Sequence, residues 1–77
     1  MNHRLFDTVV LERDIPAHRL CKGDVGAVIQ VHESDSVDVE FVLPNGRAQA
    51  QLTLRADDVR PIADNEMLTV RRLSQSA

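Results

Sequence analysis

Aromatic side chains are nearly absent from this 77-residue chain, since Phe6 and Phe41 make up 3% of it and there is no Trp or Tyr. Modules that bind proline-rich peptides hold them in aromatic-lined grooves, and proteins that bind single-stranded nucleic acid stack the bases on aromatic rings. Two phenylalanines cannot supply either kind of site. The composition therefore argues against both of these ligand classes.

Cysteine is equally scarce, because Cys21 is the only one in the chain. A single cysteine cannot form an internal disulfide, and it has no partner for a CxxC zinc or redox motif. The N-terminal residues lack the apolar stretch of a signal peptide, and no segment approaches the ~20 apolar residues that cross a bilayer. We therefore expect a cytoplasmic protein that does not associate with a membrane.

No residue set forms a recognisable catalytic or metal-binding motif. His3, His18 and His32 are far apart and make no HxH or HxxxH pair, so we expect no metal and no cofactor. Cys21 has no third group that would orient a histidine base, and the segment Gly23–Gly26 lacks the spacing of a phosphate loop. We predict that the protein is not an enzyme and has no catalytic residues.

Acidic residues outnumber basic ones, twelve to nine, which gives a formal net charge of −3. Nucleic-acid-binding domains usually carry a basic patch and have a pI above ~9, whereas this chain has a pI of about 5.4. An acidic surface suits a basic protein partner instead. The charge balance therefore makes nucleic acid the less favoured ligand.

Short runs of β-branched or alternating apolar residues predict strands rather than helices. In the second run, Ala27, Ile29 and Val31 share one face, and Gly26 at its start indicates a bulge or a close backbone approach. The segment Ile15–Cys21 has no apolar periodicity and is predicted to be an exposed arm. The five predicted strands are Phe6–Leu11, Ala27–His32, Val37–Leu43, Ala48–Leu54 and Arg60–Ile62.

The third and fourth strands are predicted to form a hairpin whose register follows from the side-chain alternation. Inward residues must face inward residues, which pairs Phe41 with Ala50 and Val39 with Leu52. An uninterrupted ladder with this pairing needs an even number of loop residues. We therefore predict a four-residue loop, Pro44–Arg47, rather than a three-residue Pro-Asn-Gly loop.

These elements predict an all-β fold, a small SH3-like barrel of about five strands with one short helical turn, Arg55–Val59, before the last core strand. An OB-fold is the alternative, but it requires a longer helix than any amphipathic segment here can form. We assign residues 1–62 to the barrel and residues 63–77 to a C-terminal extension. In that extension Met67–Arg71 forms either an edge strand or a single helical turn, and the last residues are expected to be disordered.

The segments DTVVL, KGDVGAVIQV, VEF and LTLRADDVRPI, spread over Leu5–Ile62, resemble the small bacterial family catalogued as domain of unknown function 4926. The resemblance implies an SH3-like barrel and no established activity. Some members of that family are encoded beside small toxin-like proteins, which implies an antitoxin or immunity role. The KGDVGAV segment is also similar to KOW-type ribosomal domains, which implies nucleic-acid binding as the alternative function.

We therefore predict a non-catalytic protein-interaction module with a basic, toxin-like protein partner. Homo-oligomerisation stays open, because the C-terminal extension is apolar enough to pack on a second copy of the chain. Two segments supply the candidate contacts, the early arm Arg13–Arg19 and the acidic hairpin Ser34–Glu40. The candidate partner-binding residues are Arg13, Asp14, His18, Arg19, Asp35, Asp38 and Glu40.

Overall fold

The computed structural model describes residues 3–73, which fold into five β-strands and two three-residue 3-10 turns. The all-β class, the strand number and the short helical turn before the last strand are confirmed. No helix in the described part of the chain is long and apolar enough to cross a membrane. The strands are β1 (Thr8–Leu11), β2 (Val25–His32), β3 (Ser36–Val42), β4 (Ala48–Arg55) and β5 (Val59–Pro61), and the turns are Pro16–His18 and Ala56–Asp58.

The strands form one antiparallel sheet in the order β4-β3-β2-β1-β5. Although β4 and β5 lie at opposite edges, only the turn Ala56–Asp58 connects them, so the sheet curls back on itself. Leu54 of β4 and Val59 of β5 accordingly enter the same core as Val9, Val28 and the rest of the buried cluster. This is the curled five-stranded arrangement that the predicted barrel requires.

The alternation of β3 and its register with β4 are confirmed. Val37, Val39 and Phe41 are buried, and Phe41 lies opposite Ala50 while Val39 lies opposite Leu52. Side chains on the other face of β3 are partly exposed. Burial of one face fixed this register, because a slip by one residue would expose the aliphatic face to water.

The predicted four-residue loop between β3 and β4 is wrong. The Leu43 N–H donates to the Arg47 carbonyl at 2.8 Å, and the Gly46 N–H donates to the Leu43 carbonyl at 2.9 Å, so the loop is Pro44–Gly46. Gly46 has a φ of 87°, which a glycine adopts without strain. The predicted pairing of Phe41 with Ala50 is kept in spite of the shorter loop, because one extra residue, Gln49, forms a bulge in β4.

The inward face of β2 also differs from the prediction. Gly26 and Val28 face the core, whereas Val31 is 41% exposed. A Cβ on Gly26 would lie 2.7 Å from Val39 Cγ1, so the missing side chain lets β3 pack directly on the β2 backbone. Beyond Val28 the β2–β3 register shifts before Gln30, and this irregularity ends the simple alternation.

The segment Ile15–Cys21 is anchored in the core by two of its residues, which corrects the prediction of an exposed arm. Ile15 and Leu20 are buried in the core and bridge each other, with the Ile15 N–H 2.8 Å from the Leu20 carbonyl. The residues between them, Pro16–Arg19, are all exposed. Two aliphatic residues therefore fasten the segment to the core and present its tip to solvent.

The two ends of the described chain differ from the expected boundaries. β1 begins at Thr8, because Phe6 has a φ of 68° and is 78% exposed. Residues 63–73 contain neither the edge strand nor the helical turn expected at Met67–Arg71. The disordered end that the sequence predicted falls largely on residues 74–77, which lie outside the described residues.

Candidate protein-binding surface

The first predicted contact segment is the arm Arg13–Arg19, which is held at both of its ends. Arg13 Nε donates to Asp58 Oδ1 at 3.0 Å, and the His18 carbonyl accepts a hydrogen bond from Gln49 Nε2 at 3.1 Å. Gln49 lies at the start of β4 and Asp58 in the turn that follows it. The arm therefore extends between the two ends of β4.

Asp14 and Arg19, which were predicted as contact residues, help to fix the backbone conformation of the arm. Asp14 Oδ1 accepts the Lys22 N–H at 2.7 Å. Arg19 has a φ of 58°, which reverses the chain direction after the 3-10 turn. The Arg19 carbonyl accepts a hydrogen bond from Arg71 Nη2 at 2.9 Å. The backbone of the arm tip is thus constrained by its own residues and by the C-terminal segment.

The second predicted contact segment lies on the β2–β3 hairpin, where Asp38 links three strands. Asp38 Oδ1 accepts hydrogen bonds from Thr53 Oγ1 of β4 at 2.5 Å and from His32 Nε2 of β2 at 3.0 Å. The Thr53 hydrogen bond, followed by that of His32, lowers the pKa of Asp38 below its usual range. Asp38 therefore stays ionised on the outer face of the sheet.

Asp35 occupies the turn of the same hairpin with a left-handed backbone, φ 64°. Its carbonyl accepts the Ala56 N–H at 3.0 Å, which joins the hairpin turn to the 3-10 turn before β5, while its side chain is exposed. Glu40 lies on the outer face between Ala27 of β2 and Gln51 of β4. We call the exposed and half-exposed carboxylates of Glu33, Asp35, Asp38 and Glu40 the acidic hairpin surface.

Arginine side chains compensate acidic groups elsewhere in the molecule but not on this surface. Within residues 3–73, no Lys or Arg forms an ion pair with any residue of the acidic hairpin surface. Arg13, Arg55, Arg60 and Arg71 are instead paired with carboxylates of other segments. Those pairs are Arg13–Asp58, Arg55–Asp57, Arg60–Glu12, Arg60–Glu66 and Arg71–Asp24.

The predicted site residues thus form two groups rather than one. Asp35, Asp38 and Glu40 share the hairpin, whereas the arm lies on a separate segment. No hydrogen bond or ion pair within the described residues joins the two groups directly. β4 lies between them, since Gln49 contacts the arm tip while Gln51 and Thr53 lie opposite Glu40 and Asp38.

Two ion pairs hold the C-terminal segment 63–73 against the sheet, and neither was predictable from a local sequence pattern. Arg71 Nε donates to Asp24 Oδ1 at 2.8 Å across 47 residues, and this contact is the main cause of the lowered pKa of Asp24. Arg60 donates two hydrogen bonds of 2.7 Å to Glu66. Together with the Ala63 N–H, they lower the pKa of Glu66 to about 2.

An open groove of about 680 Å³ lies between this segment and the sheet. Apolar residues such as Val10, Phe41 and Ile62 contribute to its lining. No group of three or more His, Cys, Asp or Glu side chains is arranged to hold a metal ion in the part of the chain described. The groove therefore offers a partly apolar surface between the sheet and the C-terminal segment.

A family model described as "Domain of unknown function (DUF4926)" matches residues 5–61. The chain belongs to the DUF4926 family. No curated protein and no solved structure matched the chain. The matched range ends at the last residue of β5, so the DUF4926 domain coincides with the five-stranded sheet and leaves the C-terminal segment 63–73 outside it.

His3 is a further notable residue, although it precedes the matched range of the DUF4926 domain. Its side chain is buried, and Nε2 lies 2.9 Å from the Ala56 carbonyl oxygen. Nδ1 has no hydrogen-bond partner. His3 lines a cleft of about 340 Å³ together with Glu33, Asp35 and Ser36. A lone histidine near the N-terminus gives no such signal in sequence, because its partner is 53 residues away.

Proposed function

We propose that this DUF4926 protein is a non-catalytic interaction module that binds a basic protein through the acidic hairpin surface. One observation supports the proposal above the others. The acidic hairpin surface has no arginine or lysine partner within residues 3–73, although four arginines elsewhere, Arg13, Arg55, Arg60 and Arg71, are paired with carboxylates. A basic partner would supply the missing charges.

The sequence around the surface strengthens this electrostatic argument. From Gly23 to Gly46 the chain contains no Lys or Arg, while it contains all four acidic residues of the surface. The neighbouring outward positions Gln30 of β2 and Gln51 and Thr53 of β4 are uncharged. Arg55 of β4 lies opposite Ser36, and its guanidinium is paired with Asp57 at 3.4 Å. The carboxylates of β3 and of the turn before it attract an oppositely charged partner during diffusion, which raises the association rate.

The arm is proposed as a second contact. Its tip is exposed, and hydrogen bonds from Gln49 and Arg71 to its backbone restrain it before a partner arrives. A restrained loop loses less conformational entropy on binding than a free one. An antitoxin or immunity role would use both segments to cover the functional surface of a basic toxin-like protein.

Nucleic-acid binding of the KOW kind is the alternative, and the ion pairs weigh against it. Binding to nucleic acid needs cationic side chains that neutralise the phosphates and displace the counterions bound to them. Arg13, Arg55, Arg60 and Arg71 already neutralise carboxylates within the chain. A gel-shift titration tests this alternative: salt-sensitive micromolar binding to DNA or RNA would favour it over the protein partner.

The direct test is coexpression with the protein encoded beside this one, followed by measurement of the association rate at low and high salt. The variant Asp35→Asn/Glu40→Gln removes two charges from the acidic hairpin surface. Asparagine tolerates the left-handed backbone at position 35. We expect its association rate to fall by about threefold or more at low salt, with the difference lost at high salt.

The variant Glu12→Gln/Asp64→Asn serves as the control, because it removes the same net charge outside the proposed surface. If both variants slow association equally, only the net charge matters and the surface assignment is wrong. Failure of the neighbouring gene product to bind or to be neutralised would reject the proposal of an antitoxin or immunity partner.

A further inference from the structure

The cleft beside the β2–β3 turn combines acidic groups with an unsatisfied buried nitrogen. Glu33, Asp35 and Ser36 are among the residues that line it. His3 is 7% exposed, and its Nδ1 has no hydrogen-bond partner. An unsatisfied buried polar atom is costly, and native structures normally pair such atoms with protein, water or a ligand.

The protonation of His3 follows from its one hydrogen bond. The Ala56 carbonyl oxygen can only accept, so the His3 Nε2 2.9 Å away must carry a proton. In the neutral ring, Nδ1 is then a bare acceptor. The group that satisfies it must be a hydrogen-bond donor, and the two acidic residues that line the same cleft, Glu33 and Asp35, favour a donor that is positively charged.

We propose that this cleft binds the ammonium group of a lysine side chain from the partner protein. The inference rests on the proposed function, since it names the group by which a basic partner is recognised. An ammonium carries three hydrogen-bond donors on one compact charge. It can donate to Nδ1 of His3 while facing the carboxylates of Glu33 and Asp35.

The basic side chains near the cleft contact carboxylates other than those of Glu33 and Asp35. Arg55 lies opposite Ser36 in the register, but its guanidinium is paired with Asp57 at 3.4 Å. His32, which also lines the cleft, donates to Asp38 at 3.0 Å. Residues 3–73 contain no cluster of three metal-ligating side chains, which favours an organic cation over a metal ion.

Nδ1 is closed off from solvent in this conformation, so entry of the ammonium must move the His3 ring or the turn Glu33–Asp35. That movement makes the inference measurable by NMR. The probe is the peptide acetyl-Gly-Lys-Gly-amide, whose only charge is the lysine ammonium, titrated into the full chain labelled with nitrogen-15. We expect shifts confined to the amides near His3, Glu33–Ser36 and Ala56, and a change in the His3 ring nitrogen signals.

The same peptide with an acetylated lysine, which keeps the size but loses the charge, should give no shifts. The variant Glu33→Gln/Asp35→Asn should weaken binding by about tenfold, because hydrogen bonds to charged groups are among the stronger ones. The control Glu12→Gln/Asp64→Asn should leave binding within about twofold of the parent chain.

Several results would overturn the inference. They are equal shifts with the acetylated peptide, tighter binding of the corresponding arginine peptide, or a His3 ring signal that does not respond. The outcomes also separate this inference from the proposed function. A partner complex that forms without any response of the cleft to the lysine peptide rejects the cleft alone. A cleft that binds the peptide while no partner complex forms rejects the protein-module proposal instead.

Discussion

The substitution Gly26→Ala tests whether the close packing of β2 on β3 stabilises the fold. An added Cβ would lie 2.7 Å from Val39 Cγ1, 2.9 Å from the Glu40 carbonyl oxygen and 2.9 Å from Phe41 Cδ2. Two of these atoms belong to fully or nearly fully buried side chains, and the third is backbone. None of these three atoms can move away without disturbing the hydrogen bonds between β2 and β3.

The expected magnitude follows from two opposing effects. Overpacking a well-packed core costs about 1–3 kcal/mol, while replacing glycine by alanine restricts the unfolded chain and returns about 0.4–1 kcal/mol. We expect a net loss of about 1–2 kcal/mol from a total of about 4–12 kcal/mol for a chain of this length. With an m value of about 1 kcal/mol/M, the urea midpoint should fall by about 1–2 M.

Urea unfolding followed by far-ultraviolet circular dichroism measures this change, since the chain has no Trp or Tyr for fluorescence. Gly46→Asn is the matched control. A Cβ there contacts nothing within 4 Å, but a side chain at a φ of 87° is strained, so this variant shows the cost of backbone strain alone, about 1 kcal/mol, without overpacking. A Gly26→Ala variant as stable as the parent would refute the reasoning, because Val39 and Phe41 would then accommodate the methyl group freely.

Two further predictions concern other segments. Leu20→Ala should destabilise the fold by about 2–4 kcal/mol, because Leu20 is 4% exposed and lies in the core. The control Leu5→Ala, at a 51% exposed position, should cost less than about 1 kcal/mol. Equal urea midpoints for the two variants would mean that the arm is not anchored in the core. Carbon-13 NMR of the Glu66 carboxyl should give a pKa near 2, which Arg60→Gln should raise towards the ordinary 4.5. Because the pKa of Glu66 is depressed in the folded state, the stabilisation from the Arg60–Glu66 pair is present above pH 4.5 and is lost as the pH falls towards 2. An unchanged Glu66 pKa in the Arg60→Gln variant would show that Arg60 is not its cause.

The hairpin of β3 and β4 could be predicted because its alternation is uninterrupted through Val37, Val39 and Phe41. The loop length could not, since the parity argument assumed a ladder without bulges and Gln49 provides one. The prediction for the inward face of β2 is wrong because Gly26 lies in the core, where the space for a side chain is taken by β3. No scale of hydrophobicity registers such a contact.

The candidate site was predictable only in its charge. The run of acidic residues on the hairpin is visible in sequence, and the structure places Asp35, Asp38 and Glu40 on one hairpin. The partners of the arginines are not visible, since Arg13–Asp58 and Arg71–Asp24 join residues 45 and 47 positions apart. Such contacts depend on how the sheet curls rather than on any local pattern.

The placement of these ion pairs explains why an acidic surface persists beside so many arginines. Asp58 lies in the turn between β4 and β5, and Asp24 and Glu66 hold the C-terminal segment, so Arg13, Arg71 and Arg60 are each paired where separate segments of the chain meet. The hairpin is held instead by its ladder and by neutral donors, as Thr53 shows at Asp38. Because no Lys or Arg of residues 3–73 pairs with the carboxylates of the acidic hairpin surface, they stay available to the basic partner that we propose for this surface.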